Sequence, residues 1–466
     1  MSSNRMYILF ISIVMTLVMA VSCQSTTPPE QEGLKTDTTE QVQPADLEPL
    51  TLSVPVTEDW VYSGKPQITI HTENKNAVAV MAEAKLRIAT DMKELVVTET
   101  DSVEIPAKSA KDIVMTTTDP LAPGLYRATC SVNGKGARNS FIFAIDPFEI
   151  KSAPDKQADY DSFWQTAKDQ LAAIDMKANL IELTGKSSAT RKVYLVELNS
   201  VPDGLTGEPV VVRGYYCEPQ DGQKHPVVMH FFGYDTQKTK AKVSCPSGGT
   251  SEYAEFYLSH RGQYINNRPE SSREPDGLGD LENPYGDWFS YNFGDKDSYY
   301  YRGAFMDCVQ AVRFMATRET SDMTKLFAEG SSQGGALTYA AAALSDYPFS
   351  AIAANVAFLG DYADAMKIGG LAAETAKRCK GSMTDEEMLR FLSYFDTKNL
   401  ATRISCPVLA SSGLQDNVCP PRTNIVPFNN LQTPQSKKEY IFGPEMGHDY
   451  PAGWNTKMWK LFRDNK

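Results

Sequence analysis

KLFAEGSSQGGALTYAAAAL, residues 325–344, is the stretch that decides the fold. KLFAEG has the length and apolar content of a buried strand, and GGALTYAAAAL is built of good helix formers. Between them Gly330-Ser331-Ser332-Gln333-Gly334 fits G-x-S-x-G. A strand running into that pattern and a helix leaving it is the context a nucleophile elbow requires. The glycines flanking Ser332 are expected to allow the tight turn that exposes its hydroxyl. The frame centres Ser332, so Ser331 is read as structural. A phosphate-binding turn is the competing reading, but the stretch has neither the lysine of a P-loop nor G-x-G-x-x-G spacing.

A serine hydroxyl is a weak nucleophile and needs a base. The chain has five histidines, His71, His225, His230, His260 and His448, and only His448 follows Ser332. It sits in PEMGHDY, directly after the strand-like KEYIFG. In α/β-hydrolases the order along the chain is serine, acid, histidine. Asp416 follows CPVLASSG, one strand before the histidine strand, and is the expected acid. Asp361 and Asp364, after SAIAANVAF, are its competitors; Asp346 lies just past the elbow helix, and Asp385 and Asp396 fall in helical or exposed context. The acid would hold the imidazole in one tautomer and stabilise the imidazolium. The expected oxyanion donors are the backbone N–H groups of Gln333 and of Tyr234, which ends PVVMHFFGY. No pair of cysteines has CxxC spacing, and neither a metal nor a cofactor is implied.

Farther out, strand-like and helical segments alternate over residues 151–466, which predicts a mostly parallel sheet covered on both faces. The expected catalytic domain is therefore an α/β-hydrolase fold. Residues 51–150 alternate apolar and polar side chains in period two (QITIHTE, GLYRATCSV, SFIFAI), with turn signals at SGK, ENKN and NGKG. That pattern predicts a small antiparallel, immunoglobulin-like β-sandwich. No chemistry is visible in it: His71 has no second ligand nearby, and Trp60 reads as core. A chain beginning near residue 151 is therefore expected to fold and keep its activity. Residues 264–298 form a long aperiodic loop whose Trp288, Phe289 and Tyr291 are candidates to stack on a substrate. Phe232, Phe358 and Leu359 are expected to bound a small acyl pocket.

Residues 1–22 read as a signal peptide, with the apolar run YILFISIVMTLVMAV ending at Ala20-Val21-Ser22-Cys23. The cysteine at the cut resembles a bacterial lipobox, which implies a lipid anchor on Cys23 and a place in the cell envelope, with Gln24 favouring the outer membrane. Residues 23–50 are a flexible tether carrying six acids and one lysine. Nearly half of the chain's net charge of −12 therefore sits outside the folded part. No basic excess points to nucleic acid. Seven of the eight cysteines remain once Cys23 is set aside, and buried thiols account for most of them.

Five pieces in order carry a resemblance: GYD at 233–235, RGQ at 261–263, YYYRGAFMD at 299–307, GSSQGG at 330–335, and GLQDNVCPP with GHD at 447–449. Together they resemble the acetyl xylan esterase / cephalosporin C deacetylase family, carbohydrate esterase family seven, over about residues 155–464. The resemblance implies a serine esterase that deacetylates sugars or xylo-oligosaccharides, with Ser332, Asp416 and His448 as its triad and Tyr234 beside the oxyanion. RGQ is a structural signature of that family, so Arg261 and Gln263 are supporting residues. The chain departs from the family pattern in three places: Phe232 stands where HGY is usual, Asp449 where HE is usual, and Tyr264 follows RGQ in place of glycine. These departures bear on substrate preference. The family's hexamer is not carried over, because this chain adds a sandwich and a tether. Two other readings stand beside this one: an esterase for other acyl groups, aromatic or peptidase-like, and a carbohydrate-binding surface lipoprotein without activity.

Overall fold

The computed structural model describes residues 47–134, 138–203, 207–234, 243, 246, 251–263 and 285–466. The signal peptide, Cys23, most of the tether and residues 264–284 of the long loop lie outside the described residues. The period-two region forms eight strands: β1 (Thr51–Ser53), β2 (Val61–Tyr62), β3 (Gln67–Asn74), β4 (Val80–Thr90), β5 (Leu95–Ile105), β6 (Ser109–Thr116), β7 (Gly124–Val132) and β8 (Arg138–Ile145). They make a three-stranded sheet, β1-β3-β6, and a five-stranded sheet, β2-β8-β7-β4-β5. Every pairing is antiparallel except β2 with β8. Alternation places Ile68 and Ile70 of β3, and Ala82, Ala84, Leu86 and Ile88 of β4, in the interior. Trp60 is buried and stacks on Phe141 with ring centres 4.2 Å apart, so it is core. His71 faces outward and bonds Asp112.

After α1 (Tyr160–Ala172) a nine-stranded sheet begins. Its strands are β9 (Asn179–Glu182), β10 (Arg191–Pro202), β11 (Pro209–Pro219), β12 (His225–Phe231), β13 (Ala254–Ser259), β14 (Ser321–Ser331), β15 (Ala351–Asn355), β16 (Val408–Gly413) and β17 (Lys438–Gly443). The order across it is β17-β16-β15-β14-β12-β13-β11-β10-β9. The strands from β17 to β13 run parallel, and β11, β10 and β9 continue antiparallel. Every residue of β15 and β16 is buried, as a strand covered on both faces requires. The antiparallel hairpin of β10 and β11 adds to the mostly parallel sheet that the alternation of segments predicts. The helices that pack on the sheet include α2 (Tyr300–Ala316), α3 (Gln333–Leu344), α8 (Pro421–Asn430) and α9 (Trp454–Asp464), and α4 (Tyr362–Ile368), α5 (Leu371–Cys379), α6 (Asp385–Leu392) and α7 (Thr397–Ala401) pack mainly on other helices.

The sandwich is not an appendage. Leu414, Ile425 and Val426 of the catalytic region are buried in the same apolar cluster as the sandwich interior, with Tyr440 and Phe442 packed against it. Phe148 lies 5.8 Å from the Phe428 ring and 6.0 Å from those of Tyr440 and Phe442. Gln415 pairs with the main chain of Ile142 in both directions, accepting from its N–H at 2.9 Å and donating to its carbonyl at 3.0 Å. Arg422 grips Asp91 at 2.6 and 3.0 Å. Residues 48–466 thus form one compact unit. This runs against the expectation that a chain starting near residue 151 keeps its fold.

Candidate active site

The parallel strands deliver one side chain each to a common edge. Tyr234 follows β12, Ser332 follows β14, Asn355 ends β15, Asp416 follows β16 and His448 follows β17. These are neighbouring strands, and their carboxyl ends are where an open α/β sheet builds a site. Ser332 sits between β14 and α3 with φ 59° and ψ −122°. A serine in that region costs of order 1–3 kcal/mol, which the surrounding packing must hold. The strain therefore falls on Ser332 itself and not on the flanking glycines, which serve close approach. A Cβ on Gly330 would lie 2.3 Å from the Gly334 carbonyl oxygen, and one on Gly334 would lie 2.3 Å from that of Phe231. The Ser332 N–H donates to Asn355 O at 2.9 Å, and Phe358 N–H donates to Ser332 O at 2.9 Å. Ser331 Oγ accepts from Asn355 Nδ2 at 2.7 Å, a structural role.

Ser332 Oγ donates to His448 Nε2 at 2.9 Å, and His448 Nδ1 donates to Asp416 Oδ2 at 2.8 Å. Asp416 is buried, and its other oxygen accepts the N–H groups of Val418 and Cys419 at 2.8 and 2.9 Å. The carboxylate is thereby fixed, and it fixes the imidazole tautomer. Asp361 and Asp364 do not reach the histidine. Asp361 is buried against Lys398 at 3.0 Å and Ser152 at 2.9 Å, and Asp364 pairs with Lys367 and Arg422. Asp396 is fully buried, contrary to its expected context; it caps α7 and accepts the N–H groups of Asp361, Tyr362 and Lys398. The Gln333 N–H opens α3, at the positive end of its dipole. Neither it nor the Tyr234 N–H engages an acceptor among the described residues. Among the described residues, no group of three or more His, Cys, Asp or Glu could hold a metal ion.

Residues 147–465 match the acetyl xylan esterase (AXE1) family. The chain belongs to that family. It is a carboxylic ester hydrolase, and similar proteins agree. Acetyl esterase Axe7A of Xylanibacter ruminicola is 25% identical over 408 residues, 87% of each chain. That span exceeds the family region, so the likeness runs into the sandwich. The acetyl xylan esterase of Paenibacillus sp. R4 is 26% identical with a TM-score of 0.55, covering 69% of this chain and 98% of that one. Acetyl xylan esterase 1 of a Thermoanaerobacterium species shares the fold, at 24% identity and TM-score 0.55 over 68% of this chain and 97% of that one.

In this esterase the RGQ signature is a joint. Arg261 is buried and clasps Asp307 through Nε at 2.9 Å and Nη2 at 2.7 Å, with its own N–H on the same carboxylate at 3.0 Å. A second partner is the Val201 carbonyl, which accepts from Nη2 at 3.0 Å. Gly303 makes room, since a Cβ there would lie 2.1 Å from Arg261 Nη1. Gln263 Nε2 donates to the carbonyl of Gly233 at 3.3 Å, bracing the turn that presents Tyr234. Neither residue touches Ser332.

His260, which the sequence reading passed over, is buried beside the elbow. Tyr301 OH donates to Gln333 Oε1 at 2.8 Å, and Gln333 Nε2 donates to His260 Nε2 at 2.8 Å. The other nitrogen of His260, Nδ1, then carries the proton and donates to the Tyr300 hydroxyl oxygen at 2.9 Å, while that hydroxyl donates to the Arg261 carbonyl at 2.6 Å. Burial pushes the His260 pKa down to about 4, so the ring is neutral and able to accept. Two aromatic expectations change. Trp288 and Phe289 are buried, with Trp288 stacked on Tyr300 at 5.4 Å and edge-on to His260, so neither is open to a sugar. Phe232 packs with Tyr257 in a separate apolar cluster, whereas Phe358 stands by Tyr234 with ring centres 6.2 Å apart.

Proposed function

We propose that this esterase removes acetyl groups from acetylated sugars or xylo-oligosaccharides through Ser332, His448 and Asp416. The observation that carries the reading is the unbroken chain Ser332–His448–Asp416, at 2.9 and 2.8 Å. Ser332 Oγ attacks the acetyl carbonyl while His448 Nε2 takes its proton. The oxyanion that forms is met by the N–H groups of Tyr234 and Gln333. The C–O bond to the sugar breaks, and His448 returns the proton to the departing sugar oxygen. Water activated by the same imidazole then attacks the acetyl-serine and releases acetate. The names of the similar esterases support acetate as the acyl group, and Phe358 beside Tyr234 supports a short acyl pocket.

The test is acetate release from a panel of acetylated xylo-oligosaccharides, with labelling by a fluorophosphonate. Release by the wild type and none by Ser332→Ala is the expected result; equal release by both sinks the assignment. The lipobox-like run also supports anchoring of Cys23 to the bacterial envelope by lipid. Incorporation of labelled palmitate into the wild type but not into Cys23→Ala would bear that out, and equal labelling would refute it.

A further inference from the structure

A cleft of about 490 Å³ lies where the sandwich meets the loop that carries Asp416. That volume lies within the usual range of small-ligand sites. One wall comes from the sandwich, with Asp91, Lys93 and Arg127; the other comes from the catalytic region, with Asp416, Asn417 and Arg422. Both walls are held in place. Arg422 is fixed to Asp91 across the gap, and Gln415 bonds the main chain of Ile142.

Two of the charged side chains in the cleft have no partner of opposite sign among the described residues. Arg422 is paired with Asp91 and Asp364, and Asp416 accepts hydrogen bonds from His448 and two backbone N–H groups. Lys93 and Arg127 remain, both exposed and both without an ion-pair partner among the described residues. Two unmatched cations thus face one cleft in a chain whose net charge is −12. Lys93 also holds a positive φ of 75° in the β4–β5 turn, a position that glycine would fill without strain. Among the described residues no aromatic ring lines the cleft, so they offer a neutral sugar no platform there. The lining suits an anionic, hydroxyl-rich ligand, with arginine able to take a carboxylate on two N–H groups.

We infer that this cleft is a subsite for a carboxylate-bearing sugar, a uronic acid unit on the acetylated glycan. The inference rests on the deacetylase reading above and gives the sandwich a part in substrate choice. A uronate at Lys93 and Arg127 would be held against the loop that carries the triad's acid. The chain's site would then read decoration on the glycan as well as the ester.

The test uses the full-length Ser332→Ala protein, which binds without turnover. Its affinity is measured by calorimetry for a glucuronate-bearing xylo-oligosaccharide and for a neutral one of the same length. The charged ligand should bind at least about tenfold tighter, with a preference that shrinks as salt is raised. Lys93→Glu with Arg127→Glu should erase the preference. In the Ser332 background that same pair should leave kcat/KM on 4-nitrophenyl acetate within about twofold, since neither residue belongs to the triad or the oxyanion hole. Equal affinity for the two ligands overturns the inference, and so does a preference that survives charge reversal. If the wild type binds both ligands but hydrolyses neither the nitrophenyl ester nor acetylated oligosaccharides, it is the deacetylase reading that fails.

Discussion

Replacing His260 by leucine is expected to slow the enzyme without emptying its site. The leucine removes the only acceptor of Gln333 Nε2 among the described residues, and Gln333 is fully buried. Leaving a buried N–H unpaired costs about 1–3 kcal/mol, or roughly 5- to 150-fold. The amide can escape that cost only by turning away from Tyr301, which shifts the first residue of α3 and its backbone N–H. Complete loss of one oxyanion donor costs roughly 10²–10³ in kcat, which sets the ceiling. The expected fall in kcat for 4-nitrophenyl acetate is therefore about 10- to 100-fold, with KM changed much less. His260→Gln offers an oxygen near the position of Nε2 and should recover most of the loss. Gln333→Leu should be similarly slow, and the double variant with His260→Leu no slower than either single one, because both remove the same bond. Thermal unfolding of each variant, measured alongside, separates misfolding from mispositioning. Unchanged kcat in a stably folded His260→Leu protein would refute the argument, as would fully additive losses.

Ser332→Ala should lower kcat by roughly 10⁴-fold or more with the fold intact, while Ser331→Ala, which loses one hydrogen bond from Asn355, should be far milder; similar losses would move the nucleophile. Asp416→Asn should cost on the order of 10⁴-fold in kcat by favouring the wrong tautomer of His448, whereas Asp361→Asn should reduce stability through Lys398 and spare the chemistry of the remaining folded enzyme. A chain beginning at residue 151 should be insoluble or inactive, since Leu414, Ile425 and Val426 lose their cover; a soluble, fully active fragment would show that the seam is dispensable. Stability should peak between two buried histidines. Burial holds His260 near pH 4, so its contribution is present above its ordinary value of about 6.5 and is lost as pH falls from there toward 4. Burial opposes the charge on His230, but Glu255 and Glu329 outweigh it and lift the pKa to about 9, so that contribution is lost as pH rises from about 6.5 toward 9. Melting temperature against pH checks both limbs, and His230→Gln should flatten the alkaline one.

What could be read from the chain was what obeys local rules. The strand, the tight G-x-S-x-G turn and the helix are consecutive in sequence, and a single histidine after Ser332 left no choice of base. The acid was reachable because CPVLASSG and KEYIFG are unmistakable strands. What could not be read depends on groups far apart in the chain. His260 meets Gln333 from 73 positions away, and no local pattern marks that pairing. Asp396 looks like a surface residue until three backbone N–H groups converge on it. Trp288 reads as a sugar platform from its place in a long loop; only the ring of Tyr300 stacked against it shows it to be core. Nothing in the local sequence around Leu414 or Val426 marks their packing into the sandwich interior, which is a tertiary fact.

Arg261 and Gly303 lie 42 positions apart, yet they occupy one volume: the guanidinium fills the space that any side chain at 303 would claim. RGQ and YRGAFMD are consequently two halves of a single signature, closed by Asp307. Neither half can drift alone. Lysine at 261 would lose the forked grip on the carboxylate, and alanine at 303 would evict the arginine. A related sequence that keeps one half and has lost the other should have rebuilt this corner altogether. In any comparison of such chains the two motifs are best counted once.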